Sequence, residues 1–207
     1  GQPFLEADWA KGSVDFVFRF FPAEWLSALP RRCAWWHLLG DSKVPLSNPG
    51  SALLTQSKRL PLVWDRLTAM FPTWRSLLPR TCDPRQVNGW GADGRCVLKP
   101  VFGRVGDMVH IEGVTAAKEA RLLERSVRWH PRYWIAQERF QAMPMRQGKE
   151  AVYPCIGVYT LNSRVIGAYG RVARRPLIDH LAQDAAVLVA DEDFTGLPCD
   201  YSSHDSF

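Results

Sequence analysis

Residues 95–113 contain two strand-like runs separated by a short segment with two glycines, and this pattern constrains the fold more than any other stretch. The first run, 96–101, alternates apolar and polar residues, and the second, 108–111, is again strand-like. Gly103 and Gly106 lie between them. We therefore predict a β-hairpin with a flexible, glycine-containing tip.

The tip of this hairpin has the composition of a phosphate-binding loop. Glycine lets backbone N–H groups approach an anion closely. Lys99 and Arg104 add positive charge beside Gly103 and Gly106, and a triphosphate is held by donors and charge together. An ordinary hairpin with an exposed lysine and arginine near its turn explains the same residues, so this stretch alone leaves both interpretations open.

Composition indicates a globular protein of one domain or two small ones. The chain has 207 residues, of which 46% are hydrophobic and 23% charged. No apolar run is long enough to span a bilayer, and no signal peptide is visible at the start of the sequence. The five cysteines are dispersed, without a Cys-x-x-Cys pair, which argues against a structural zinc site and favours free thiols in a reducing cytoplasm.

Charge is distributed unevenly along the chain. All 26 basic residues lie before Pro176, whereas seven of the 21 acidic residues follow it. Residues 1–175 thus carry a formal charge of +12, which would attract a nucleotide, a nucleic acid or an acidic peptide. A solvated basic surface balanced by an acidic tail has the same composition.

Strand and helix signals are mixed without strict β-α-β alternation, so we predict an α+β fold. Before the hairpin we expect a strand at 14–21 and a short helix at 23–29 with Trp25 in the core. Further along we expect a helix from about Leu60 and a connector or strand at 73–79. After it we expect a helix with Thr115 as N-cap, strands at 134–140, 152–160 and 164–172, a tight turn at Asn162-Ser163 and a helix at 177–189.

The sequence lacks the common catalytic motifs. It contains no Walker A loop, no Gly-x-Gly-x-x-Gly and no nucleophile elbow, and its five histidines have no metal-ligand spacing. Without a visible nucleophile and base pair, the pattern favours chemistry driven by positioning and charge neutralisation, as in phosphoryl transfer.

Four segments together resemble the C-terminal portion of glutathionylspermidine synthase-like proteins, an ATP-grasp ligase family. They are Ser57-Lys58-Arg59 before a helix, 97–106 (Val-Leu-Lys-Pro-Val-Phe-Gly-Arg-Val-Gly), Ile135-Ala-Gln-Glu138 and 160–171. The resemblance covers roughly Phe16 to Val189. It implies an ATP-grasp-like fold with mixed or antiparallel sheets and flanking helices, divided into an N-terminal part (1–90), a nucleotide-binding part (91–190) and an acidic, mobile tail (191–207).

The resemblance also implies roles for individual residues. Lys58 and Lys99 correspond to the two lysines on the ATP phosphates, and the loop with Gly103, Arg104 and Gly106 covers those phosphates. Gln137 and Glu138 lie on the strand that meets adenine and ribose, and Arg171 corresponds to a catalytic arginine on the transferring phosphoryl group. The implied activity is ATP-dependent, magnesium-assisted formation of an amide from a carboxylate and an amine, with a peptide and a polyamine as the substrate classes.

The chain departs from the family pattern at the metal site. The family's Mg²⁺ ligands lie upstream of the matched region, and no equivalent occurs between Gly1 and Gly50. We therefore expect a fragment or a reduced relative that is inactive alone. A non-catalytic nucleotide- or partner-binding module is the alternative. A basic nucleic-acid binder ranks below both, because the sequence contains no recognisable RNA or DNA motif.

Overall fold

A computed structural model describes residues 4–7, 10–33, 36–37, 43–87, 94–161 and 164–188, with backbone alone for 4–7, 10 and 27. The chain divides into two compact units, Gly1–Gln141 and Ala142–Phe207. The predicted acidic tail and the predicted turn at Asn162-Ser163 lie outside the described residues.

The predicted glycine hairpin is present in the first unit and forms the centre of its main sheet. Strand β6 (Cys96–Pro100) pairs antiparallel with β7 (His110–Ile111) and, on its other side, with β8 (Trp134–Glu138), which also pairs with β5 (Thr81–Cys82). The order β5-β8-β6-β7 therefore places β6 and β8, the strands that carry Lys99 and Gln137, side by side in the middle.

Helix α3 (Ala117–Trp129) covers one face of this sheet. Its core positions recur at helical spacing, so that Leu123 and Val127 point inward. They pack with Leu98, Trp134 and Ala136, which alternate onto the same face of β6 and β8. The helix prediction is confirmed, but its N-cap is Ala116. Thr115 instead uses its hydroxyl to accept from the Ile111 N–H and to donate to the Val109 carbonyl.

A buried carboxylate fixes the chain that precedes the sheet. Asp83, 7% exposed, accepts from Arg59 Nη2 at 2.7 Å and from Arg85 Nε at 2.9 Å, and it caps the 3₁₀ helix Pro84–Gln86. Arg59 also donates from Nη1 to the Trp134 carbonyl at 3.0 Å. One ion-pair network thus ties the segment before the 3₁₀ helix Leu60–Arg66 to strand β8. These donors hold the pKa of Asp83 well below its usual range.

Short elements occupy the N-terminal part of the first unit. Strands β1 (Phe4–Ala7) and β2 (Ala10–Ser13) form one antiparallel pair, and β3 (Val17–Phe18) pairs parallel with β4 (Leu46–Ser47). The strand predicted over 14–21 is therefore reduced to two residues. The expected short helix is a 3₁₀ helix at Ala23–Ala28.

Two further predictions for the first unit need correction. Trp25 is 61% exposed and does not lie in the core, because the side chains of the 3₁₀ helix that point inward are those of Ala23 and Leu26. The segment predicted as a connector or strand at 73–79 is helix α2 (Pro72–Leu77), in which Pro72 occupies the first turn. Helix α1 (Ala52–Gln56) precedes Lys58.

The second unit is a four-stranded antiparallel sheet in the order β12-β11-β10-β9. It is formed by β9 (Met145–Gln147), β10 (Glu150–Leu161), β11 (Arg164–Ala173) and β12 (Gln183–Ala185). The long β10–β11 pair confirms the two strands predicted there. The helix predicted at 177–189 is wrong, since this stretch instead supplies an edge strand whose backbone pairs with residues 170–172.

Antiparallel sheets with few helices confirm the α+β class. The predicted division near residue 90 remains a prediction. Among the described residues, no helix is both long and apolar enough to cross a membrane.

The Asp83 network predicts an acid-sensitive contribution to stability. Asp83→Asn keeps the cap but removes the charge, so the free energy of unfolding should fall by about 2 kcal/mol at neutral pH, the size of hydrogen bonds to a charged group. Because folding depresses this pKa, the stabilisation is complete above the unfolded-state pKa of about 4 and is lost as pH falls towards the folded value. Urea unfolding measured from pH 7 to pH 3 tests this.

Asp65→Asn is the matched control. Asp65 forms an exposed ion pair with Arg75 at 2.8 Å, and removing such a pair should cost less than about 1 kcal/mol. Equal losses in the two variants, or an Asp83→Asn loss that does not shrink with acid, would contradict the role assigned to the buried carboxylate.

Candidate functional site

The sheet face opposite helix α3 carries the candidate site. Val97 pairs across the sheet with Gln137, and Lys99 pairs with Ile135. These four residues share one face because cross-strand partners and residues two apart point the same way. The apolar core on the other face leaves this one to accommodate polar side chains.

Lys99 is half-buried and is held by a neutral amide. Its Nζ donates to Gln137 Oε1 at 2.6 Å, and Gln137 Nε2 donates in turn to Thr81 Oγ1 at 2.9 Å. Burial and, second, the nearby charge of Lys58 lower the pKa of Lys99. No carboxylate within the described part of the chain forms an ion pair with it. The result is a positioned ammonium group without a counter-charge.

Lys58 reaches the same region from a different element. Its backbone N–H donates to the Val101 carbonyl at 3.1 Å, and its Nζ donates to the Gly103 carbonyl at 2.9 Å. Burial lowers the pKa of Lys58, the charge of Glu24 opposes that shift, and Arg104 adds to it. The predicted pair Lys58 and Lys99 is therefore brought together, although the two residues are 41 positions apart in the chain.

The glycine loop after β6 has the backbone geometry that its sequence suggests. Gly106 has φ +70°, and a Cβ at Gly103 would lie 2.5 Å from Pro100 Cγ, so both positions favour glycine. Val105 and Met108 also adopt positive φ, of 51° and 55°. A β-branched residue in this region is strained, and such strain is concentrated at ligand-binding loops.

Arg104 extends from this loop to Glu24. Its Nε lies 3.3 Å from Glu24 Oε1 in a partly exposed ion pair. Glu24 belongs to the 3₁₀ helix Ala23–Ala28, and no sequence motif indicates this contact across 80 residues. The pair holds the loop near Lys58, whose pKa responds to both charges.

Glu138 does not share the sheet face of Lys99, and Arg171 belongs to the second unit. Glu138 follows Gln137 on β8, so it belongs to the opposite face of the sheet, where it is exposed. Arg171 lies on β11 of the second unit. There its Nη2 donates to the carbonyls of Asp179 and Ala182 at 2.9 and 3.0 Å, and its Nε forms an ion pair with Asp184 at 3.7 Å.

Sequence analysis missed the groups that orient the site. Thr81 positions Gln137, and Asp83 with Arg59 positions the backbone beside Lys58. One signal was available, since Asp83-Pro84 followed by Gln86 has the spacing of a capping box with proline in the first turn. The contacts to Thr81 and Glu24 have no such local signature.

The donor set of the site suits an anion rather than a metal ion. The lysine pair supplies ammonium groups, and metals are bound by carboxylate, imidazole or thiolate ligands. Within the described ranges, no group of three or more His, Cys, Asp and Glu side chains could hold a metal ion.

Comparison with models of protein families matches residues 4–189 to the family described as glutathionylspermidine synthase preATP-grasp. This match spans most of the chain and confirms the resemblance found in the sequence motifs. No curated protein matches the chain.

The loop geometry predicts that a side chain at Gly106 is strained. Gly106→Ala forces an L-residue to φ +70° and should lower the free energy of unfolding by about 1–2 kcal/mol. Gly12→Ala is the control, because a Cβ there meets open space and the backbone is not left-handed. Denaturant unfolding measures both. If alanine costs the same at both positions, the left-handed turn is wrong.

Proposed function

The chain belongs to the glutathionylspermidine synthase preATP-grasp family, and we propose that it is a ligase-family domain that binds ATP through Lys58 and Lys99. The family supports a relationship to amide-forming ligases. Nucleotide binding, the residues that perform it and the substrates are parts of the proposal.

One observation carries the nucleotide proposal. Two half-buried ammonium groups from distant segments converge beside the glycine loop: Lys58 donates to the carbonyls of Val101 and Gly103, directly after the strand on which Gln137 holds Lys99. Neither forms an ion pair with a carboxylate of the described residues. Placing like charges together in a desolvated site is unfavourable, so the arrangement is best explained by an anion that neutralises both.

A triphosphate fits the remaining groups around this pair. Gln137 already orients Lys99, and the loop Gly103–Gly106 lies next to Lys58 Nζ, with Arg104 as a third cation. On binding, phosphate oxygens would replace the Gly103 carbonyl as the acceptor for Lys58. Backbone N–H groups of the loop would then add to the charge-assisted bonds.

Bound magnesium would neutralise charge on the phosphates, but the described residues do not provide its ligands. We therefore assign no step to the metal. We also propose that Arg171 acts on the transferring phosphoryl group and that Glu138 contacts the nucleoside. The substrate classes, a carboxylate-bearing peptide and a polyamine, rest on the family.

A non-catalytic nucleotide-binding module is the second candidate. The specific observation in its favour is the absence, within the described ranges, of an acidic cluster facing the lysine pair. A cytoplasmic location is proposed from the cysteines. Cys33, Cys82 and Cys155 form no disulfide bond among the described residues, as is usual in a reducing compartment.

Removing either lysine should weaken ATP binding. Lys58→Met and Lys99→Met should each cost about 1.5–3 kcal/mol of binding free energy, as expected for hydrogen bonds to a charged group. Isothermal titration calorimetry with ATP and with AMP measures this, and the loss should be larger for ATP. Lys149→Met, which removes an exposed lysine elsewhere, is the control. Wild-type affinity in both lysine variants would remove the phosphate role.

The same titration has an expected pH dependence. Because the pKa of Lys99 is lowered from 10.5, this group loses its proton at a lower pH than an ordinary lysine. An anion prefers the protonated form, so ATP affinity should fall as pH rises through that lowered pKa. In Lys99→Met the corresponding decrease should be smaller.

Turnover of ATP by this chain alone is expected to be absent. Catalysis requires preorganised groups that meet the charge developing in the transition state, and the lysine pair supplies ground-state binding. ADP release should be measured with magnesium, glutathione and a panel of polyamines. ADP formation that is proportional to protein concentration and disappears in Lys99→Met would show that the chain is a complete ligase.

A further inference from the structure

The outward face of helix α3 carries a regular stripe that the proposed nucleotide site does not use. Lys118, Leu122, Arg125 and Trp129 follow one another at intervals of four, three and four residues. This spacing places them on one side of a helix, directly opposite the side chains that enter the core. The stripe alternates basic and apolar residues along the whole helix.

The apolar members of the stripe are unusually exposed for their size. Leu122 is 59% exposed and Trp129 is 74% exposed. A shallow depression on this face is lined by Ala117, Lys118, Arg121, Leu122 and Arg125. Aromatic and apolar residues grouped on a surface mark contact sites, and tryptophan is the commonest anchor at protein interfaces.

Two basic residues of the stripe, Lys118 and Arg125, lie beside a third, Arg121. Lys118, Arg121 and Arg125 form no ion pair with any carboxylate of the described residues, and no acidic residue lines the depression. Arg121 and Arg125 are four residues apart, where like charges destabilise a helix. A partner with negative charge would relieve this repulsion, so charge complementarity determines the chemistry of the partner.

We propose that this face of α3 docks an acidic amphipathic helix of a partner protein. Leu122 and Trp129 are one heptad apart and alternate with Lys118 and Arg125 on this face, so the face suits a helix that alternates apolar and acidic residues. Acidic residues at the alternating positions of the partner's docking face would meet Lys118 and Arg125. Nucleic acid fits less well, because phosphates would use the cations and leave Leu122 without a contact.

The length of the docking face on α3 determines how tightly a partner helix is expected to bind. A helix of 13 residues is about 20 Å long, so the contact belongs to the small, transient class of interfaces. The apolar pair should supply most of the affinity, and the cations should supply partner choice and salt dependence.

A designed peptide tests the docking surface. The probe is a fluorescein-labelled helix of three heptads whose docking face alternates leucine with glutamate, titrated with the 207-residue chain by fluorescence anisotropy. Saturable binding that weakens with salt is expected. Leu122→Ser with Trp129→Ser should weaken it about tenfold or more. Both residues are exposed, and circular dichroism confirms that the variant folds.

Charge reversal separates specific docking from general attraction. Lys118→Glu with Arg125→Glu should lose the acidic peptide and bind a lysine version of the same peptide instead. Arg66→Glu with Arg146→Glu, two exposed arginines outside α3, is the matched control and should leave binding unchanged. This charge swap is independent of Lys58 and Lys99, so its outcome does not depend on the nucleotide proposal.

Three results would overturn the proposal. The first is wild-type affinity after loss of Leu122 and Trp129. The second is an equal loss in the Arg66/Arg146 control, which would indicate attraction by net charge. The third is binding of single-stranded polyuridylate by the stripe without binding of the peptide, which would assign the surface to nucleic acid.

Discussion

The ion-pair network around Asp83 determines where the rest of the site can lie. Asp83 is buried, and Arg59 connects it to the carbonyl of Trp134 on a central strand. Arg59 directly follows Lys58, so the same contact that fixes one guanidinium also fixes the backbone that presents the ammonium. Removing the hydrogen-bond donors of a buried carboxylate leaves an unpaired buried charge, which strongly destabilises the fold. The position of Lys58 therefore follows from a structural ion pair rather than from the ligand.

The central sheet of the first unit separates two kinds of chemistry. One face is closed by the apolar contacts of α3, and the other carries Lys99 beside Gln137. Strand alternation requires this division, since neighbouring residues point to opposite faces. The strained loop then adds Arg104 and its partner Glu24. Without a ligand, Lys58 donates to the Gly103 carbonyl. An anion that binds here would have to replace that carbonyl as the acceptor for Lys58.

Much of the local structure could be predicted, and the failures have physical causes. The hairpin, helix α3 and the β10–β11 pair have strong periodic patterns, and each is present. Thr115 resembled an N-cap, but its hydroxyl is used by the preceding turn. Residues 177–189 have a helical apolar pattern, yet the open edge of β11 recruits Gln183–Ala185 as a strand. A local turn outweighed the N-cap propensity in the first case, and strand pairing outweighed the helix propensity in the second.

The sequence by itself determined the α+β class and the family, and it named Lys58 and Lys99 as candidates, because these depend on local patterns and on motifs within short windows. The tertiary structure alone decided that Lys58 and Lys99 lie close enough to interact, that Gln137 holds Lys99 and that Glu138 lies on the other face. It also formed two contacts that no sequence motif predicts, the hydrogen bond from Gln137 to Thr81 and the ion pair between Arg104 and Glu24. Such pairs join residues 56 and 80 positions apart, and only the register of strands and the packing of distant loops brings them within hydrogen-bond distance.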